Sequence, residues 1–218
     1  KTAYFEQMRD RRKNEILTAA KEMFLSEGIA GFSIQQLAKN LDLSTVTLYK
    51  YFKNMDDIMR ELEEQIIEGL MEKLYLLQAN LADKPLDSFM QQMHGFYDVV
   101  LSERKNISLL ILFQVFMRED YKNTSAADKI EIYSDKWKEN MRLLLGKMKA
   151  VDDVSADVDI DNAILFIEQI NVALVQHIGL LSDRQYQAEE KTIQKHIEQT
   201  LQVSLLYLKT TLKNVERL

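Results

Sequence analysis

The sequence predicts an all-α fold: a short three-helix head joined by one long helix to a larger helical body. Three observations lead there. Over 218 residues there are only six Gly and one Pro, too few for the tight turns of a many-stranded protein. Apolar residues recur at helical spacing almost throughout, and no stretch alternates as a strand would. Hydrophobic residues make up 46% and charged residues 28%, enough apolar surface to bury a core and too much for disorder.

The first helix is expected over about residues 9–27, where Ile16, Ala20, Met23 and Phe24 fall on one stripe. Gly28 then supplies a stop. Ser33 with Gln36 reads as a capping box opening a second helix, whose apolar face is Ile34, Leu37, Ala38 and Leu41. Ser44 can cap a third, Thr45 to Tyr51. Asn54, followed by Asp56 and Asp57, starts a fourth. Ile58, Leu62, Ile66, Leu70 and Leu74 carry that helix to about Gln78, long enough to leave the head. The expected division is therefore residues 1–53 and 54–218. Lys84–Pro85 breaks the chain before a helix over Leu86 to Leu101. Asn106 to Met117 is strongly apolar, and Ser125 with Asp128 opens a helix to about Met148. Val151 to Asp159 is an acidic loop. Ile160 to Leu181 and Glu189 to Leu212 are the last two helices.

The stretch Ile34 to Tyr51 has the parts of a helix-turn-helix. Two short helices crossing steeply need a small residue where they meet, and Ala38 supplies it. Leu37, Leu41, Leu43, Leu48 and Tyr51 supply the shared core. The turn needs a residue tolerant of positive φ, and Asp42 is short and polar enough to visit that region. Outward on the second helix, Thr45, Thr47, Tyr49 and Lys50 are hydrogen-bonding or cationic, suited to base edges and phosphates; a phosphate is also expected at Ser44. Charge agrees: residues 1–53 carry nine Lys and Arg against six Asp and Glu, whereas the whole chain is at −6.

Ile16 to Phe24, Gly28, Phe32–Ser33, Leu37–Ala38 and the run Thr47-Leu48-Tyr49-Lys50-Tyr51-Phe52-Lys53-Asn54 resemble the DNA-binding head of the TetR family of bacterial repressors. The close resemblance covers about residues 9–58; the rest matches in architecture only. It implies that Thr45 and Thr47 approach bases with Lys50 beside them. Ser33, Ser44 and Tyr49 would hold phosphates, Lys53 would lie near the DNA backbone, and Gln35 is a further contact. Two positions depart from the family pattern: Met55 stands where Lys is frequent and Asp42 where Gly is frequent. The resemblance also implies a homodimer on a palindromic operator, a cytoplasmic location, no cofactor, and an apolar cavity for a small effector. Ligand binding would shift the long helix from Asn54 and change the spacing of the two heads.

The residues implied for that cavity are Met93, Phe96, Tyr97, Phe113, Phe116, Met117, Trp137, Met141 and Phe166; by spacing alone each is an ordinary core residue. His94, Gln114, Gln169 and Asn171 are the polar groups that could orient a ligand. Two apolar stripes run along the penultimate helix: Ile164, Ile167, Asn171, Leu174 and Ile178, and Phe166, Ile170, Ala173 and Leu180. A helix apolar on two sides needs two partners. The first stripe is assigned to a second subunit, joined by Ile193, Ile197, Leu201, Leu205, Leu208 and Leu212 of the last helix. Such a dimer would set two recognition helices about 34–36 Å apart.

Enzyme chemistry finds no support. There is no Cys and therefore no thiolate site or cysteine nucleophile. Gly146–Lys147 has Met141 where a phosphate-binding loop requires Gly, and no H-E-x-x-H occurs. The three His (His94, His177, His196) lack the Glu three places earlier that a di-iron site uses, and no metal is expected. No 18 consecutive apolar residues suggest a membrane span. The sequence opens on Lys1, not Met, so further residues are expected ahead of it. Residues 1–13 are charged with no apolar run behind them, unlike a secretory signal. Three readings stay open: a ligand-responsive repressor, a DNA-binding protein with a filled body, and a helical ligand-binding or catalytic protein that does not use its head on DNA.

Overall fold

A computed structural model describes residues 2–79, 84–121 and 125–210. These form nine helices, and no strand occurs among them: α1 (Thr2–Gly31), α2 (Ile34–Asn40), α3 (Thr45–Leu48), α4 (Met55–Ala79), α5 (Pro85–Ser102), α6 (Arg104–Tyr121), α7 (Ser125–Ala150), α8 (Ile160–Leu180) and α9 (Asp183–Lys209). The chain divides into two compact units, residues 1–68 with 109–128 and residues 69–108 with 129–218. The division thus falls inside α4, later than residue 53, and α6 gives its first residues to the body and the remainder to the head.

The helix ends follow from side-chain chemistry. In α1 the regular helix breaks at Gly28, whose φ of 71° lies in the left-handed region; every other residue type would be strained there. α2 ends with Asp42 at φ 53°. The Asp42 N–H donates to the Lys39 carbonyl at 3.2 Å and the Leu43 N–H to the Ala38 carbonyl at 2.9 Å, the paired bonds of a Schellman cap. α7 closes identically, with Asp152 at φ 61° and the N–H groups of Asp152 and Asp153 on the carbonyls of Lys149 and Met148. α9 starts six residues earlier than the apolar pattern indicates, because Ser182 and Gln185 form a reciprocal capping box. The expected end at Leu212 lies outside the described residues.

In the head, Ile16, Leu17, Ala20, Met23 and Phe24 of α1 are buried with Leu37 and Ala38 of α2, Leu48 of α3, and Ile58, Met59 and Leu62 of α4. Phe24 stacks on Phe32 at 4.2 Å and meets Phe113 of α6 edge-on at 5.2 Å. Lys13 of α1 reaches Glu61 of α4 at 2.5 Å, with its ammonium 5.8 Å from the Phe52 ring.

In the body, α8 and α9 run antiparallel: Phe166 stacks on Tyr207 at 4.5 Å, and the rings of His177 and His196 lie 6.5 Å apart. Between the helices and α5, the Tyr97 hydroxyl donates to Asn171 Oδ1, whose Nδ2 donates to the Ile167 carbonyl at 2.7 Å. Burial pushes the Tyr97 phenol above its ordinary range. At the α8–α9 corner the buried Arg104 donates to the Leu181 carbonyl at 2.8 Å and to Asp183, and its guanidinium lies 4.6 Å from the Tyr186 ring centroid. α8 is the one helix among the described residues long and apolar enough to cross a membrane. Its inner side is packed in the body core.

Candidate nucleic-acid interface

α2 and α3 are seven and four residues long and depend on side chains for their ends. Ser33 caps α2: its Oγ accepts from the Gln36 N–H at 3.4 Å. The reciprocal half of the expected box is absent, because the Gln36 side chain turns to Asn40 at 2.8 Å. Ser44 caps α3, accepting from the Thr47 N–H at 3.0 Å, and shares a second hydrogen bond with the Thr47 hydroxyl at 2.8 Å. Leu48 is fully buried and pins α3 to the core. At the entry to α4, the Asp57 N–H donates to Asn54 Oδ1 at 2.8 Å, and Asp57 Oδ2 accepts from the Lys53 N–H at 3.0 Å. Asp56 and Asp57 occupy the first turn of α4.

The eight residues assigned to DNA divide by exposure. Gln35, Ser44, Tyr49, Lys50 and Lys53 are exposed; Ser33, Thr45 and Thr47 are half-buried. All eight belong to the helix-turn-helix or the segment leading into α4. Sequence reasoning passed over Val46, which is exposed on α3. Its signal is an apolar residue three places before an exposed one on a helix whose buried side is already filled by Leu48.

The body residues assigned to an effector are scattered. Met93, Tyr97 and Met141 are buried in the body core, and Phe96, Trp137 and Phe166 are half-buried. Phe113 and Met117 belong to the head, since α6 has crossed into it by Leu109. Phe116 is 50% exposed. His94, Gln114 and Gln169 are exposed, and Asn171 is occupied by Tyr97 and Ile167. Two depressions in the surface, of about 660 and 320 Å³, both lie along α1, and none of these residues lines either.

The stripe assigned to a second subunit faces inward. Ile164, Ile167, Asn171, Leu174 and Ile178 are buried within the body, as are Ile193, Ile197, Leu201 and Leu208; Leu205 is half-buried. The Asn171 carboxamide fixes this orientation, because its partners lie inside the same chain. The apolar residues left outside are Leu165, Val172 and Leu180 of α8 and Val203 and Leu206 of α9. Among the described residues, no three His, Cys, Asp or Glu are grouped to hold a metal.

Residues 16–62 match the family described as bacterial regulatory proteins, tetR family. Two Bacillus subtilis proteins are similar in sequence. The uncharacterized HTH-type transcriptional regulator YerO is 23% identical over 149 residues, 68% of this chain and 51% of that protein. The probable HTH-type transcriptional regulator YttP is 25% identical over 81 residues, 37% of this chain and 39% of that protein. The chain thus spans about half the length, or less, of the curated relatives it matches. Its fold is shared by the ketosteroid transcriptional regulator KstR2 of Mycobacterium tuberculosis (TM-score 0.62, 16% identity, 92% of this chain and 96% of that one). A TetR/AcrR-family regulator of Thermobifida fusca has the same fold (TM-score 0.64, 17% identity, 89% and 97%). Residues 16–62 are thus similar to the DNA-binding head of the TetR family of bacterial regulatory proteins, and the described helices share the fold of regulators assigned to that family.

Proposed function

We propose that the chain is a cytoplasmic transcriptional repressor that binds a palindromic operator as a homodimer and is released by a small apolar ligand. The observation that carries the DNA half is α3: capped by Ser44, anchored by Leu48, and presenting Tyr49 and Lys50 to solvent. Phosphate contacts from Ser33, Ser44, Tyr49 and Lys53 would set affinity and salt dependence; contacts from Thr45 and Thr47 to base edges, with Lys50 beside them, would set sequence preference.

The homodimer is supported by the outer side of α8 and α9. Leu165, Val172 and Leu180 are spaced by seven and eight residues and so share one face of α8. With Val203 and Leu206 they form an exposed apolar surface of the kind that marks an interface. Release by a ligand is supported by the family and by the Met and aromatic content of the body. It requires a ligand that favours the spacing of heads that DNA rejects.

The test is a gel shift with DNA flanking the protein's own gene at two salt concentrations. A discrete, salt-sensitive shift is expected, lost in Thr47→Ala/Lys50→Ala. No shift at low salt, and no sequence enriched from random DNA, would defeat the reading. Val172→Glu is expected to sediment as a monomer and to lose the palindrome while staying folded.

A further inference from the structure

The outermost ridge of α3 is only partly polar. Val46 is 68% exposed, as exposed as any large apolar residue among those described. Tyr49 (51% exposed), the C-cap of α3, and Lys50, just beyond it, are exposed as well. Thr47, which with Thr45 the resemblance assigns to bases, is half-buried, and its hydroxyl is already engaged with Ser44 at 2.8 Å. Whatever α3 enters therefore meets Val46 before it meets Thr47.

Val46 does nothing for the fold. It buries little, and a β-branched residue is a mediocre helix former. What it offers is rigidity: in a helix its χ1 is largely fixed, so its two methyl groups are held in one direction with little freedom left to lose on binding. The major-groove edges of guanine, adenine and cytosine carry hydrogen-bond donors and acceptors, whereas thymine adds a C5-methyl group to its acceptor. An isopropyl group against the first three strips their water and returns no hydrogen bond, which is costly. Against the thymine methyl, apolar surface meets apolar surface.

We propose that Val46 reads the C5-methyl group of a thymine, so that at one base pair the DNA preference of this chain depends on a methyl group and not on a hydrogen bond. Tyr49 holds the neighbouring backbone and orients the ridge, with Lys50 beside the bases. The inference rests on α3 entering the major groove, as proposed above.

The experiment uses the full chain. A duplex is selected from random DNA with the wild type, and each thymine in it is replaced in turn by deoxyuridine, which lacks only the methyl group. Kd is measured for wild type, Val46→Ala and Val46→Thr, each checked for an unchanged thermal transition. One thymine is expected at which deoxyuridine weakens the wild type about fourfold, the worth of one buried methyl, and leaves Val46→Ala unaffected. Val46→Thr, which keeps one methyl, is expected between the two. A deoxyuridine effect of equal size in wild type and Val46→Ala, or none at any thymine, overturns the methyl contact while leaving DNA binding intact. Failure to enrich any sequence overturns both.

Discussion

In the head, α2 and α3 are seven and four residues long, and each shows one buried side and one open side. In the body, α8 and α9 are 21 and 27 residues long, and α8 is apolar almost all round, with seven residues buried and Leu165, Val172 and Leu180 exposed. A short amphipathic helix has one candidate partner, and its pattern names it. A long helix with apolar residues on several sides has several, and spacing alone does not rank them. The same contrast appears in α6, one continuous apolar helix whose residues are divided between the two units.

The largest effect that can break this comparison lies in α6. Phe113 is fully buried against Phe24, whereas Phe116, three residues on, is 50% exposed. Phe113→Ala is expected to cost about 3–5 kcal/mol, and Phe116→Ala less than about 0.5 kcal/mol. Urea denaturation measures both, and similar losses would mean that α6 is rotated relative to this description.

Burial of the α8 stripe is sharpened by Tyr97. Tyr97→Phe removes the donor to Asn171 and leaves a buried carbonyl oxygen short of its partner, at about 1–3 kcal/mol. Replacing both partners, Tyr97→Phe with Asn171→Leu, is expected to recover much of that loss, because no polar group is then stranded. If Asn171→Leu alone left stability unchanged and altered only self-association, the stripe would face a second subunit after all.

How much of this was legible in the sequence follows from what each signal needs. Helix ends are local, and in the head they were readable: Ser33, Ser44 and Asn54 each cap a helix, though Gln36 does not complete the box at Ser33, and Asp42 sits at positive φ as a Gly substitute. The capping box at Ser182 was equally local and escaped notice only because the apolar pattern begins later, near Ile193. The side of α8 that faces the core was not local. It is fixed by Tyr97, 74 positions from Asn171, and no periodicity carries that information. Phe113 went to the body for the same reason: its partner is Phe24 at the opposite end of the chain. On α3, Val46 stands in the sequence as plainly as Thr47, but an apolar side chain carries no hydrogen-bonding signal, and only its exposure singles it out.

The smallest expected effect concerns a corner of the body where charge adds to packing. Asp183 opens α9 and accepts from Lys105 and from the buried Arg104; these two hold its carboxyl below the usual carboxylate range. A carboxyl whose folded pKa lies below its unfolded value stabilises the fold above the unfolded pKa, near 4, and loses that contribution as pH falls through the folded value. Asp183 is 60% exposed, so solvent screens the pair and the gain is at most about 1 kcal/mol. Asp183→Asn should therefore be less stable than wild type at neutral pH, and the gap should close below about pH 4. Salt should narrow the neutral-pH gap through Lys105, which is exposed, more than through Arg104, which is not. A gap of constant size at every pH would mean that Asp183 acts by shape or by hydrogen bonding at the start of α9, and that charge adds nothing to this corner.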